Sequence, residues 1–147
     1  PRTLDYLRRM PEILDGHKIY VEFRHRDWIR DEVFRILEAY NMGIVSVDEP
    51  DLPDLLPDEL WSTDNTIYYR LHSRDVSKWY NGRDARYDYS YSDDELRKIK
   101  SKLDSKTKKK LRALVFFNNC HQGSAIKNAE KLKLMLGQQT GPQGLGL

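Results

Sequence analysis

YVEFRHRDW, residues 20–28, is the stretch from which the rest of the chain can be read. Tyr20, Glu22 and Arg24 alternate with Val21 and Phe23, which predicts a strand over roughly 19–24 with one polar and one apolar face. The polar face needs a partner or a ligand. Glu22 and Arg24 can pair with each other along the strand. Arg24, His25 and Arg26 also gather donors at its end, just before a helix starting near Asp27 or Trp28. Strand-to-helix junctions of this kind are where (β/α) scaffolds hold their chemistry.

Working outward, the same alternation of elements recurs. Residues 1–18 predict a helix, with Leu4, Leu7 and Met10 at helical spacing, interrupted at Pro11 and closed by a turn at Asp15-Gly16. A helix over 29–41 carries Ile29, Val33, Ile36, Leu37 and Tyr40 on its packing face. A buried strand at 44–48 ends at Asp48, with Ile44, Ser46 and Asp48 on one face. After a proline-rich excursion, a strand at 66–72 places Arg70 and His72 on one face and Tyr69 and Leu71 on the other. The aromatic and charged segment 73–92 reads as a long structured loop with a turn at Asn81-Gly82. Ser92 and Glu95 form a capping box for the helix that follows. A fourth strand at 113–119 is apolar until Asn118 and Asn119, and a last helix packs through Ile126, Ala129, Leu132 and Leu136. This order predicts an α/β fold with a parallel sheet, its four strands forming either an open sheet or half of an eight-stranded barrel. A half-barrel leaves two backbone edges unpaired.

The 147 residues and their 39% hydrophobic content are enough for one core. With 25 basic and 23 acidic side chains the net charge is only +2, so overall charge argues little for a nucleic-acid partner. The stretch from Arg97 to Arg112 sets nine Lys/Arg against Asp104 alone. It reads first as a solvated face, with anion or nucleic-acid contact as the alternative. Cys120 is the single cysteine, so no intrachain disulfide forms, and no opening apolar run reads as a leader or a membrane span. A cytoplasmic protein without membrane attachment is expected, with a flexible Gly/Gln/Pro-rich tail at 137–147.

Each strand delivers polar groups near its carboxyl end, and parallel strands bring such groups to one mouth. Glu22 and Asp48 are candidates for a general base and a metal-binding or acid group, and His72 for proton transfer. Arg24 and Arg70 are candidates to hold a carboxylate or phosphate, and alternation places them on the same side of the sheet. The competing reading makes these charges each other's partners. Asn118, Asn119 and His121, followed by Gly123, occupy the last junction as an oxyanion site or a local capping network. Trp79 and Tyr80, with the tyrosines up to Tyr91, form either a ligand-stacking lid or an aromatic plug packed for stability. No cofactor is expected; a divalent metal stays open on residue types alone, because the His and carboxylate spacing fits no zinc pattern. Walker, dinucleotide-binding, CxxC and serine-hydrolase motifs are absent.

Taken together, VEFRHRDW at 21–28, VSVDEP at 45–50, YYRLHSR at 68–74, WY at 79–80, RYDYSYSDDEL at 86–96 and FFNNCHQGSAIKNA at 116–129 resemble the YecE-like family, domain of unknown function 72. The resemblance covers nearly all of the chain before its tail. It implies a TIM-like (β/α) barrel with a polar cleft at the strand ends and no established reaction. Its motif positions fall on Glu22, Arg24, His25, Asp48, Arg70, His72, Trp79, Tyr80, Asp88, Tyr89, Asn118, Asn119 and His121. Ser73 stands where the family usually has glycine, and Cys120 interrupts the Asn-Asn-to-His junction. The family's amino-terminal GTSGW-like strand is missing, so residues 1–136 resemble the carboxyl-terminal half: a four-stranded half-barrel whose edges a homo-oligomer would complete. The convergence of Glu22, Arg24, Asp48, Arg70 and His72, rather than the resemblance, points to an enzyme acting on a phosphate-bearing or sugar-like substrate, as a hydrolase. The alternative is a noncatalytic module binding nucleic acid or another anion.

Overall fold

The structure, a computed structural model, describes residues 2–107 and 111–138. Residues 108–110 of the basic stretch and 139–147 of the expected tail lie outside the described residues. The elements are α1 (Arg2–Ile13), β1 (Tyr20–Val21), α2 (Asp31–Ala39), β2 (Gly43–Asp48), β3 (Thr66–Leu71), α3 (Arg83–Tyr87), α4 (Asp93–Thr107), β4 (Arg112–Phe117) and α5 (Ser124–Met135). The four strands form one sheet in sequence order β1-β2-β3-β4, and every neighbouring pair is parallel. The α/β fold and the parallel sheet are therefore as the sequence predicts, while several element ends differ.

The first strand is the main correction. It pairs only through Tyr20 and Val21, not over 19–24. Phe23 turns away to stack on Trp28 at 4.9 Å, and a 3-10 turn at Arg26–Trp28 follows at once. Glu22 and Arg24 are consequently groups beyond a strand end rather than within a strand. His72, Asn118 and Asn119 likewise lie just past β3 and β4. The helix expected over 29–41 begins at Asp31, after the 3-10 turn has used Ile29 as its cap. Asp31 and Glu32 in its first turn suit the positive helix end, and Asn41 at φ 52° stops it beyond Tyr40. Pro11 does not end α1; it sits inside the last turn, and the helix runs on to Ile13. The segment 73–92 contains the short helix α3. The capping box forms as expected: the Ser92 N–H donates to Glu95 Oε2 at 2.8 Å and the Glu95 N–H to Ser92 Oγ at 3.3 Å.

Register decides which side chains share a face. Ser46 lies beside Tyr69 and Asp48 beside Leu71, while Val47 lies beside Arg70 and Arg70 beside Phe116. Because side chains alternate along a strand, Ser46, Asp48, Tyr69 and Leu71 point one way and Val47, Arg70 and Phe116 the other. The first face is covered: Ile67, Tyr69 and Leu71 are buried with Leu96, Ile99 and Leu103 of α4 and Leu132 of α5. Each such side chain contributes roughly 1.5–3 kcal/mol of hydrophobic burial. The second face carries a row of rings. Tyr20 contacts Tyr68 at 4.9 Å between centroids and Tyr68 stacks on Phe116 at 4.8 Å, with Phe116 itself exposed. Gly43 makes room for this row, because a Cβ there would fall 2.3 Å from two carbons of the Tyr20 ring.

Candidate functional site

Two polar clusters form at the carboxyl edge of the sheet, one on each face. On the open face, Glu22 is the hub. Its Oε2 accepts a hydrogen bond from Arg70 Nη1, and its Oε1 lies 2.9 Å from Arg24 Nη2. His72 Nε2 approaches the same Oε1 at 3.7 Å, too far for a hydrogen bond, so this contact is electrostatic. Burial works to raise the Glu22 pKa, yet His72, Arg70 and Arg24 together outweigh it and hold the carboxyl at about 2. Arg24 and Arg70 thus share Glu22 as an acidic partner, although Arg24 lies past the end of β1. Their side chains retain solvent access, 62% and 26% exposed respectively. His72 is only 2% exposed, and its Nε2 has no hydrogen-bond partner.

Trp79 backs His72 edge-on, with ring centroids 6.4 Å apart, and Arg86 in turn lies over the Trp79 ring at 4.5 Å. Arg86 Nε also donates to the Trp79 carbonyl at 3.1 Å. Trp79 is thus a buried packing residue, while its neighbour Tyr80 is exposed. Of the two alternatives for the aromatic loop, the structure gives Trp79 the packed one.

Asp48 does not join Glu22. It lies on the helix-covered face, 1% exposed, with both oxygens occupied. Tyr91 donates to Oδ1 at 2.8 Å, Tyr69 to Oδ2 at 3.1 Å, and Arg74 Nε to Oδ1 at 2.9 Å, with Arg74 Nη2 also on Oδ2. Burial and the adjacent Asp48 charge push both phenols well up, so they remain donors. Arg74 also approaches Asp58 at 3.7 Å. Asn119 belongs to this side too: its Nδ2 donates to the Tyr89 carbonyl at 2.9 Å and to Asn128 Oδ1 at 2.8 Å. Asn128 then holds both backbone polar groups of Tyr91. Tyr89 caps the set by donating to Glu95.

The remaining candidates are dispersed. His25 Nδ1 accepts the Asp27 N–H at 3.2 Å and serves the 3-10 turn locally. Asp88 pairs with Lys78 at 2.8 Å and lies 3.9 Å from His121 Nε2. Asn118 contributes its backbone N–H to the Leu71 carbonyl, extending the β3–β4 ladder. In the basic stretch, Arg97, Lys100 and Lys102 pair with Asp94, Asp104 and Asp58. Among the described residues no three His, Cys, Asp or Glu side chains are grouped to hold a metal ion. No described helix is long and apolar enough to cross a membrane. Two hollows, of ≈ 190 Å³ near Pro11 and Met42 and ≈ 240 Å³ between β4 and α5, lie away from Glu22.

Sequence reasoning passed over Glu49, Asp58, Arg74 and Asn128 as site residues, and it named Tyr91 only as part of the aromatic loop. Glu49 is 8% exposed, and its Oε1 accepts the Leu56 N–H at 2.9 Å. Its signal was its place beside Asp48 at a strand end, where alternation turns one of two adjacent carboxyls to each face.

Comparison with known proteins places this geometry in a family. The family described as Protein of unknown function DUF72 matches residues 1–145. The UPF0759 protein YunF of Bacillus subtilis (strain 168) is 27% identical over 143 residues, covering 89% of this chain and 51% of that protein. A DUF72 family protein from Thermotoga maritima superposes with a TM-score of 0.85 at 34% identity, over 93% of this chain and 52% of the other. One from Enterococcus faecalis superposes at 0.84 with 21% identity, over 95% and 55%, a likeness of fold alone. The chain thus spans about half the length of these relatives.

Proposed function

The chain belongs to the DUF72 family, whose function is unknown, and from that starting point we propose that its Glu22–Arg24–Arg70–His72 mouth binds an oxyanion. The bound group would be the phosphate of a phosphate-bearing substrate or the carboxylate of an acidic sugar, and the associated chemistry is hydrolysis. One observation carries the reading: two arginines, Arg24 from the segment after β1 and Arg70 from β3, converge on Glu22 while their side chains keep solvent access. In this reading Arg24 and Arg70 hold the anion. Glu22 fixes their forks, because a carboxyl held at about 2 is a weak proton acceptor near neutrality. His72, with its unpartnered Nε2, moves the proton.

We further place the strands as the carboxyl-terminal half of a TIM-like barrel of the YecE-like kind. Sequential parallel order, helices packed on one face and relatives of about twice the length support this. The ring row Tyr20–Tyr68–Phe116 is then interior surface, roofed by the remaining strands or by a second copy. A cytoplasmic location belongs to the same proposal, in keeping with a single cysteine. The nucleic-acid alternative draws less support, since Trp79 is buried and three cations of the basic stretch are paired.

Sulfate and inorganic phosphate titrations read by calorimetry test the mouth. Wild type is expected to bind either ion, and the Arg24→Ala, Arg70→Ala double variant at least tenfold more weakly. Equal affinity in the two proteins rejects the clamp. A hydrolase screen on phosphate esters and glycosides, repeated with His72→Asn, tests the chemistry; turnover unchanged in the variant removes His72 from it.

A further inference from the structure

We infer that Glu49 is the proton-carrying carboxyl of the Glu22 mouth, taking one proton from solvent as an oxyanion settles between Arg24 and Arg70. The inference rests on the anion-binding reading above, but concerns a residue outside that clamp. Geometry comes first. Val45, Val47 and Glu49 alternate away from Asp48, and the β2–β3 register sets Val47 beside Arg70, so Glu49 follows the face on which Glu22, Arg70 and His72 meet. The backbone agrees, since the His72 N–H donates to the Asp48 carbonyl, the peptide group that leads into Glu49.

The charged groups facing Glu49 are Arg24 and Glu22 from the segment after β1 and Arg86 from α3. Arg70 and His72 share this face and contact Glu22, and the neighbouring Asp48 turns to the other face. Unlike Glu22, Glu49 has no guanidinium in bonding contact; among the described residues its one hydrogen bond is from the Leu56 N–H to Oε1. Burial, with Glu22 adding to it, raises its pKa against the opposing pull of that N–H, Arg24 and Arg86. The mouth therefore holds two carboxyls driven in opposite directions by their surroundings, a pattern that separates a fixed charge from a proton carrier.

An anion landing on Arg24 and Arg70 adds negative charge near Glu49 and disfavours its carboxylate further. The proton balance is simple: Glu49 carboxylate, one solvent proton and the anion give a complex in which the protonated Oε2 can donate to an anion oxygen. Affinity is then highest below the free-state pKa of Glu49. It falls as pH rises through that value, by at most about tenfold per pH unit.

Sulfate is the probe, because it does not itself titrate near neutrality. Calorimetric titration in two buffers of different ionisation enthalpy, repeated in steps from about pH 5 to about pH 8, counts the protons taken up. Wild type is expected to take up protons with sulfate in the interval between the free and the sulfate-bound pKa of Glu49, by at most one per sulfate. Glu49→Gln keeps the Leu56 contact and is expected to bind sulfate with no proton uptake and no pH dependence. His72→Asn is expected to retain the uptake. The proposal is overturned if wild type binds sulfate without taking up protons, if Glu49→Gln still takes them up, or if His72→Asn abolishes the uptake; in each case the Arg24–Arg70 clamp stands. If sulfate binding is absent, or is indifferent to removal of both arginines, the anion reading itself fails and this proposal with it. Should Glu49→Gln not fold, carbon-detected NMR of the Glu49 carboxyl in wild type serves instead: its pKa rises on adding sulfate, and an unchanged value overturns the proposal.

Discussion

Asp48 and Glu22 end polar clusters at the same edge of the same sheet, each a buried or nearly buried carboxylate facing arginine, yet the clusters differ in what they leave over. Around Asp48, two phenols and one guanidinium occupy both oxygens beneath the helices. Around Glu22, two arginine side chains still reach solvent and a buried imidazole nitrogen has no hydrogen-bond partner. A carboxylate whose two oxygens are both filled, here by two buried phenols and by Arg74, itself 26% exposed, holds structure together. One whose donors can turn outward can exchange a partner for a ligand. Charge and location at a strand end do not separate the two cases; the face does.

The largest test of that contrast is Asp48→Ala. It leaves Tyr69, Tyr91 and Arg74 without their common acceptor, and urea unfolding is expected to show a loss of about 3–5 kcal/mol. A loss under about 1 kcal/mol would erase the distinction between the clusters.

The second test is acid. Glu22 is held below its ordinary pKa of 4.5, at about 2, so its contribution to stability is present above 4.5 and is lost as pH falls through 2. The shift corresponds to at most about 3 kcal/mol, nearer 2 after allowing for solvent around Arg24. Glu22→Gln is expected to flatten the wild-type stability profile across that interval. A variant profile parallel to wild type would detach Glu22 from its arginines.

Tyr91→Phe is milder, about 1.5 kcal/mol, because Tyr69 and Arg74 still serve Asp48 after one charge-assisted hydrogen bond is gone. The smallest effect on stability belongs to Arg24→Ala, under about 0.5 kcal/mol for so exposed a partner. The same variant is expected to weaken sulfate binding severalfold. Strong destabilisation without loss of binding would reverse the roles assigned to the open cluster.

The sequence made the parallel order legible because periodicity changes cleanly at each strand–helix boundary, and it made Glu22, Arg24 and Arg70 legible as neighbours because parallel strands bring polar groups at their carboxyl ends together. What escaped it depended on register between strands. Asp48 follows Ser46 and Ile44 in alternation, but only pairing with β3 shows that this is the face of Tyr69 and not of Arg70. Glu49 lies one residue past the strand, where an alternation argument had already stopped at its more conspicuous neighbour. Asn128 and Tyr91 are 37 residues apart, and their bond follows from the way α5 packs rather than from any spacing. The shortness of β1 was hidden for a different reason: Phe23 has an in-strand partner by pattern, but stacking on Trp28 takes it elsewhere.

Gly43 adds a consequence at the level of inheritance. Every single-base change to a glycine codon that alters the amino acid yields either a stop or a residue with a Cβ, and the first atom of any such side chain would collide with the Tyr20 ring. No graded series of replacements leads away from this position; even alanine must displace the ring from its contact with Tyr68. The aromatic row next to the mouth is therefore guarded by a site one mutational step from disruption in every coding direction, and a lineage could abandon that glycine only after changing Tyr20 first.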